Sequence, residues 1–190
     1  MKTMKPVSTC LLNIATASTL LLTPLASHAA VDMFLLLDGI RGETQDNSYN
    51  KEGGIDVLAW SEGLSQSGTT HQGGAGGAGR SSVQDLSITK YMDSSSPALR
   101  LLVANGQNID TATLIVRKSG ENQLEYFRID LKNIIVTSVS AGGSGGEDRL
   151  TENVSLNFSE VTWTYTPSDT NGNALTPISV GWNIAENKEI

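Results

Sequence analysis

A mainly β architecture is predicted for this chain: a β-barrel or sandwich of two antiparallel sheets with one α-helix on its flank. Three observations carry the prediction. Apolar and polar residues alternate with period two in segment after segment. The clearest is Thr151–Phe158, where Val154, Leu156 and Phe158 share one face and Ser155 and Asn157 the other. These segments follow one another at close spacing, and only one stretch has the start and stop signals of a helix. Close-spaced strands with a single short helix make a barrel or a sandwich.

Taken in order, Phe34–Ile40 reads as a first strand and Ile55–Leu64 as a second, with a polar linker, Arg41–Gly54, between them. Gly73–Gly79, Gly-Gly-Ala-Gly-Gly-Ala-Gly, cannot pack a core and reads as a mobile loop. Val83–Lys90 is a third strand. Ser94, Ser95 and Ser96 then offer cap candidates, Pro97 suits a first helical turn, and Gly106 stands where a C′ glycine belongs, so Pro97–Asn105 is the helix. Strands follow at about Ala112–Lys118, Leu124–Leu131, Ile134–Ser140, Thr151–Phe158, Val161–Thr166 and Ile178–Ile184. In Val161–Thr166, Val161, Trp163 and Tyr165 share a face against threonines, and Asp169-Thr170-Asn171-Gly172 marks the turn after it. No internal repeat or second domain is visible.

The length of 190 residues suits one domain. Residues 1–29 are set apart from it. Lys2 and Lys5 form a positive start, an apolar, small-residue stretch runs from Leu11 to Leu25, and Ser27-His28-Ala29 supplies small residues for cleavage. This is the pattern of a secretory signal peptide, too short and too polar in places for a membrane helix. Cleavage between Ala29 and Ala30 would leave eleven basic against twenty acidic side chains. Such an acidic surface disfavours nucleic acid and anionic lipid as partners. The single cysteine, Cys10, lies inside that stretch. The remaining chain therefore has no thiol for disulfides, metal or nucleophilic catalysis.

Candidate chemistry is sparse. Gly74–Ser81 approaches a phosphate-binding loop, but Arg80 stands where the motif requires lysine, and a strand rather than a helix follows. Glu147 and Asp148 are adjacent and point apart in an extended loop. A glycosidase needs two carboxylates converging at about 5–10 Å. An ion pair with Arg149, or a cap on the next strand, is the plainer reading. His71, the one histidine after the signal, cannot alone make a zinc site, and no nucleophile-elbow motif supports a triad. Asn153-Val154-Ser155 is a glycosylation sequon placed inside a strand. No catalytic, cofactor-binding or metal-ligating residues are expected, and the chain reads as a non-enzyme.

The most informative segment is Ser138–Phe158, two alternating strands around a loop of four glycines that opens onto Glu147, Asp148 and Arg149. It closely resembles the signature of the haemolysin-coregulated protein (Hcp) family, which builds the inner tube of the bacterial type VI secretion system. Further matches lie in Val31–Ile40, Gly42-Glu43, Ile55–Ser61, Ser65–Gly68, Val83–Tyr91, Ser96-Pro97 and Gly181–Ile184, in the family's order.

The resemblance implies a ring of six identical subunits that carries effector cargo and meets other type VI components. It also implies that the loop Gln72, Gly73, Gly74, Gly76, Gly77, Gly79, Arg80 contacts neighbouring subunits or rings. The loop Gly142–Arg149 is equally unsuited to a core and is expected to do the same. The strand ending at Ser61 and Glu62 would line the lumen, where Glu62 replaces the family's usual bulky aromatic; the plainer reading of Glu62 is an exposed residue without a partner. The N-terminal extension departs from the family, whose members begin near Ala30 and assemble in the cytoplasm. It points to secretion, by way of the periplasm, of an Hcp-fold effector or binding module without tube assembly, or to cytoplasmic assembly if the signal goes unused.

Overall fold

The computed structural model describes residues 31–66, 81–120, 123–146 and 148–190. The proposed signal segment with Ala29 and Ala30, the loop residues Gln72–Arg80, His71 and Glu147 lie outside them. The described elements are β1 (Val31–Leu37), β2 (Ile55–Ser61), β3 (Leu64–Ser65), β4 (Ser82–Val83), β5 (Leu86–Tyr91), α1 (Ser96–Asn105), β6 (Asn108–Lys118), β7 (Glu125–Gly142), β8 (Thr151–Asn157), β9 (Glu160–Tyr165), β10 (Ile178–Asn183) and β11 (Lys188–Glu189).

Antiparallel pairing runs β7-β6-β1-β2-β5-β8 and returns from β8 to β7, closing a six-stranded barrel. Strands β9, β10 and β11 branch from β7 as a flange. The barrel is filled by the inward row of each strand: Leu35, Ile55, Leu86, Ile88, Leu114, Ile129, Leu131, Ile134 and Leu156 are all fully buried. The predicted face of Val154, Leu156 and Phe158 is buried as expected.

Four strand predictions need correction. Leu124–Leu131 and Ile134–Ser140 are one strand of 18 residues. Asn133 sits within it at φ 51°, and its side-chain amide donates to Ser159 Oγ at 3.0 Å. The inward positions are Ile129 and Leu131 before it but Ile134 and Val136 after it, so the alternation changes phase there. That break looks like a turn in sequence and is an irregularity inside a strand. The predicted strands Ile55–Leu64 and Val83–Lys90 are each interrupted, and their outer parts pair separately as the β3–β4 ribbon, Leu64 opposite Val83.

Helix α1 ends as predicted: Gly106 adopts φ 67°, which favours glycine, and donates its N–H to Leu102 O at 2.9 Å. Its start differs. Ser95 occupies the cap position without a side-chain cap bond. Instead Asp93 Oδ1 accepts the Ser95 N–H at 2.9 Å, and Ser96 Oγ accepts the Asp93 N–H at 3.0 Å.

Beneath that helix start lies a buried charge cluster. The inward row of β5 runs Leu86, Ile88, Lys90, so the alternation delivers a lysine to the edge of the core. Lys90 Nζ donates to Glu152 Oε1 (2.9 Å), Asp93 Oδ1 (2.8 Å) and Tyr91 O (2.8 Å). Ser96 Oγ donates to the same Glu152 oxygen at 2.6 Å, and Arg100 Nη2 lies 2.9 Å from the other. Lys90 and Glu152 are cross-strand partners, each with a side chain 0% exposed. Burial pushes the Glu152 carboxyl up, but the hydrogen bonds from Ser96 and Lys90 and the charges of Lys90 and Arg100 outweigh it, holding the group below the usual range.

Removing one partner from a buried pair strands the other's charge, at a cost of about 3–5 kcal/mol. Lys90→Met is therefore expected to lower unfolding free energy by about that amount, measured by urea denaturation at neutral pH. The Glu152 pKa is lower folded than unfolded, so its contribution is present above the unfolded value of 4.5 and lost as pH falls through the native value. The urea midpoint should drop on acidification below about pH 4.5. Glu152→Gln should start less stable and show a shallower drop.

Candidate functional site

Between β7 and β8 the glycine-rich segment forms an exposed hairpin loop whose strands pair up to Gly142 and Thr151. Its base is tied to the end of β5: Met92 donates its N–H to Leu150 O at 2.9 Å. The Arg149 guanidinium lies 4.0 Å from the centroid of the Tyr91 ring, a cation–π contact. The side chain expected to pair with an acid is thus stacked on a ring of its own chain, and it remains exposed. Asp148 is exposed beside it.

The second glycine-rich loop lies outside the described residues. The residues on either side, Leu64–Ser65 and Ser82–Val83, form the β3–β4 ribbon.

Ser61 ends β2 opposite Ser87 of β5 and is exposed. Glu62 is half-buried and not unpartnered: both carboxylate oxygens accept from Trp163 Nε1, at 2.8 and 3.0 Å. This overturns the reading of Glu62 as a free exposed residue. A half-buried indole N–H needs an acceptor, but no pattern identifies one 101 positions away. Trp60, two residues earlier, stacks on Phe127 with centroids 5.6 Å apart. The end of β2 thus leans against the sheet of β7 and β9.

The Arg41–Gly54 linker is far more ordered than its polarity suggests. Gly42 donates to Gly53 O at 2.8 Å and Thr44 to Gly54 O at 3.1 Å. A Cβ on Gly42 would come within 2.6 Å of Ile55 and the Gly54 carbonyl, so only glycine permits this approach. The segment carries Tyr49 inward, where its ring lies 4.7 Å from Phe34. Arg117 of β6 sits over both rings, 4.9 and 5.5 Å from their centroids, and pairs with Asp46 and with Asp32 (3.2 Å). Arg117 holds the Asp46 carboxyl below its usual range. Burial and the hydrogen bond to Glu125 push the Tyr49 phenol up.

Among the described residues no His, Cys, Asp or Glu cluster is arranged to hold a metal, and no helix is long and apolar enough to cross a membrane. Two of the surfaces that the described residues offer are the glycine-rich hairpin with Asp148 and Arg149, and the β2 terminus with Ser61 beside the Glu62–Trp163 pair.

A family model described as "Type VI secretion system effector, Hcp" matches residues 34–165. Protein hcp1 of Pseudomonas aeruginosa is 52% identical over 160 residues, spanning 83% of this chain and 98% of that protein. Among solved structures, one described as a type six secretion system protein has a TM-score of 0.79 at 31% identity, covering 85% of this chain and 100% of its own. Hcp1 from Salmonella typhimurium has a TM-score of 0.69 at 36% identity, covering 85% and 99%. The matched region takes in the barrel, α1, the hairpin loop and β9, and the chain belongs to the Hcp family of type VI secretion system effectors.

Proposed function

We propose that the chain assembles into closed rings of six identical subunits, which form a conduit of a type VI secretion system and carry effector proteins in the lumen. The observation that carries this reading is the 52% identity across nearly the whole of hcp1 of Pseudomonas aeruginosa. The role is structural and transporting rather than catalytic. Closed cyclic assembly would use both faces of each subunit and leave no sheet edge free for uncontrolled pairing. The loops Gln72–Arg80 and Gly142–Arg149 supply the inter-subunit contacts in this reading, and Ser61 faces cargo. Arg149, stacked on Tyr91 and still exposed, is pre-oriented to receive a carboxylate of the adjacent subunit. Glu62, turned toward Trp163, shapes the wall rather than gripping cargo.

A second reading is favoured by residues 1–29: Sec-dependent export, cleavage between Ala29 and Ala30, and action outside the cytoplasm as an effector or binding module without a tube.

Size-exclusion chromatography with light scattering on Ala30–Ile190 should show a hexamer at micromolar concentration, and Arg149→Glu should shift it toward monomer while far-ultraviolet circular dichroism stays unchanged. A strictly monomeric wild-type profile would reject the ring. N-terminal sequencing of protein from cells and medium, with and without a working type VI apparatus, decides the route. A start at Ala30 that reaches the medium without the apparatus supports Sec export. An unprocessed form released only with the apparatus supports the tube.

A further inference from the structure

Beyond β9 the sheet leaves the barrel, and the described residues cover its inner face incompletely. The cross-strand pairs Val161–Trp182, Trp163–Val180 and Tyr165–Ile178 set these side chains on one face. Burial falls along them, from Val161 at 1% exposed to Val180 at 55% and Ile178 at 64%. Glu189 of β11 pairs with Trp182 and joins the same face. Opposite stand Leu64 of the ribbon and Ser81, which precedes it. Between the two lies an open cleft of about 660 Å³, in the size range of small-ligand sites.

Three properties of this cleft converge on one ligand chemistry. Its walls are Leu64, Val180 and two indoles, which suit an aliphatic stem. Trp182 Nε1 and Ser81 Oγ are buried without a hydrogen-bond partner among the described residues, so a small shift of the indole would bring an unspent donor to an incoming carbonyl. Among the described residues of the lining, Glu189 is the charged one. The Glu62 carboxylate lies against the Trp163 edge, adding negative charge behind that ring. Acid plus indole faces attract a cation.

We propose that this cleft binds a lysine or arginine side chain presented on an extended peptide segment of a partner protein. The aliphatic stem lies against Leu64, Val180 and the indoles, a peptide carbonyl accepts the Trp182 N–H, and the cationic head meets Glu189. The cleft is built within one subunit, so the inference does not depend on ring assembly, and the two can fail separately.

The test uses the full chain labelled with 5-fluorotryptophan, whose three tryptophans give three fluorine signals assigned by Trp→Phe variants. N-acetyl-arginine N-methylamide at millimolar concentration should shift the Trp182 and Trp163 signals and leave Trp60 nearly unmoved. Glu189→Gln should weaken the response about two- to fivefold, as expected for one exposed ion pair. Val180→Lys, which places a cation of the chain's own at the cleft, should abolish it. Guanidinium ion alone should shift these signals far less; an equal response would overturn the assignment to a peptide. No shift with the arginine probe, an equal shift with N-acetyl-glutamate N-methylamide, or an arginine response unchanged in both variants would overturn the site itself.

Discussion

The phase change in β7 at Asn133 lets one strand serve three partners on two edges. Before it, residues Phe127–Lys132 pair with β9; after it, Ile135–Gly142 pair with β8; β6 runs along the other edge past the change. Had the alternation run through unbroken, the inward row of one half would have pointed to solvent, because a one-residue slip reverses every side chain. The left-handed conformation of Asn133 accepts that local disruption, and its side chain is tied to Ser159 at the turn into β9. Barrel closure by β8, the departure of the β9–β10–β11 flange and the cleft beneath that flange all follow from this arrangement.

A closed barrel leaves its ends to be sealed, and here charged side chains do part of that work. Lys90, Glu152, Asp93, Ser96 and Arg100 join β5, β8 and the helix start. Arg117, Asp32, Asp46, Phe34 and Tyr49 pin the loop between β1 and β2 to β6. Desolvating such groups costs about as much as their attraction returns, so their value lies less in net stability than in excluding other arrangements. A helix docked one turn out of place would leave Lys90 and Glu152 buried without Ser96. An apolar pair would tolerate that slip far better.

This division explains what could be read in the sequence. Strands whose rows stay in phase, such as Thr151–Phe158 and Val161–Thr166, were legible because burial on one face writes itself as alternation. The helix stop at Gly106 was legible because its φ of 67° restricts residue choice. Lys90 was not recognisable as buried, since its partner Glu152 is 62 positions away and a lysine at a strand end ordinarily faces water. The Arg41–Gly54 segment read as a linker for the same reason: what orders it is Arg117, far along the chain. Of the candidate site, the hairpin loop and Arg149 were visible through glycine content and resemblance. The Tyr91 stack and the Glu62–Trp163 bond depend on tertiary contacts that no local pattern encodes.

The hairpin loop shows how a polar, glycine-rich segment can be both exposed and specified. Ordering glycines costs more conformational entropy than ordering other residues, and the described residues of this loop place no side chain in the core to offset it. What the fold supplies is an anchored base, through the Met92–Leu150 backbone bond and the Arg149–Tyr91 stack. The stack contributes about 0.5–1 kcal/mol at such an exposed site, enough to orient one guanidinium but not to fix a whole loop. An oriented arginine above a loosely held glycine tip loses little further freedom when a carboxylate arrives. The tip itself can adapt to whatever surface carries that carboxylate. Within one chain such a loop gains little, which is what a segment reserved for contact with another molecule, as proposed above, would require.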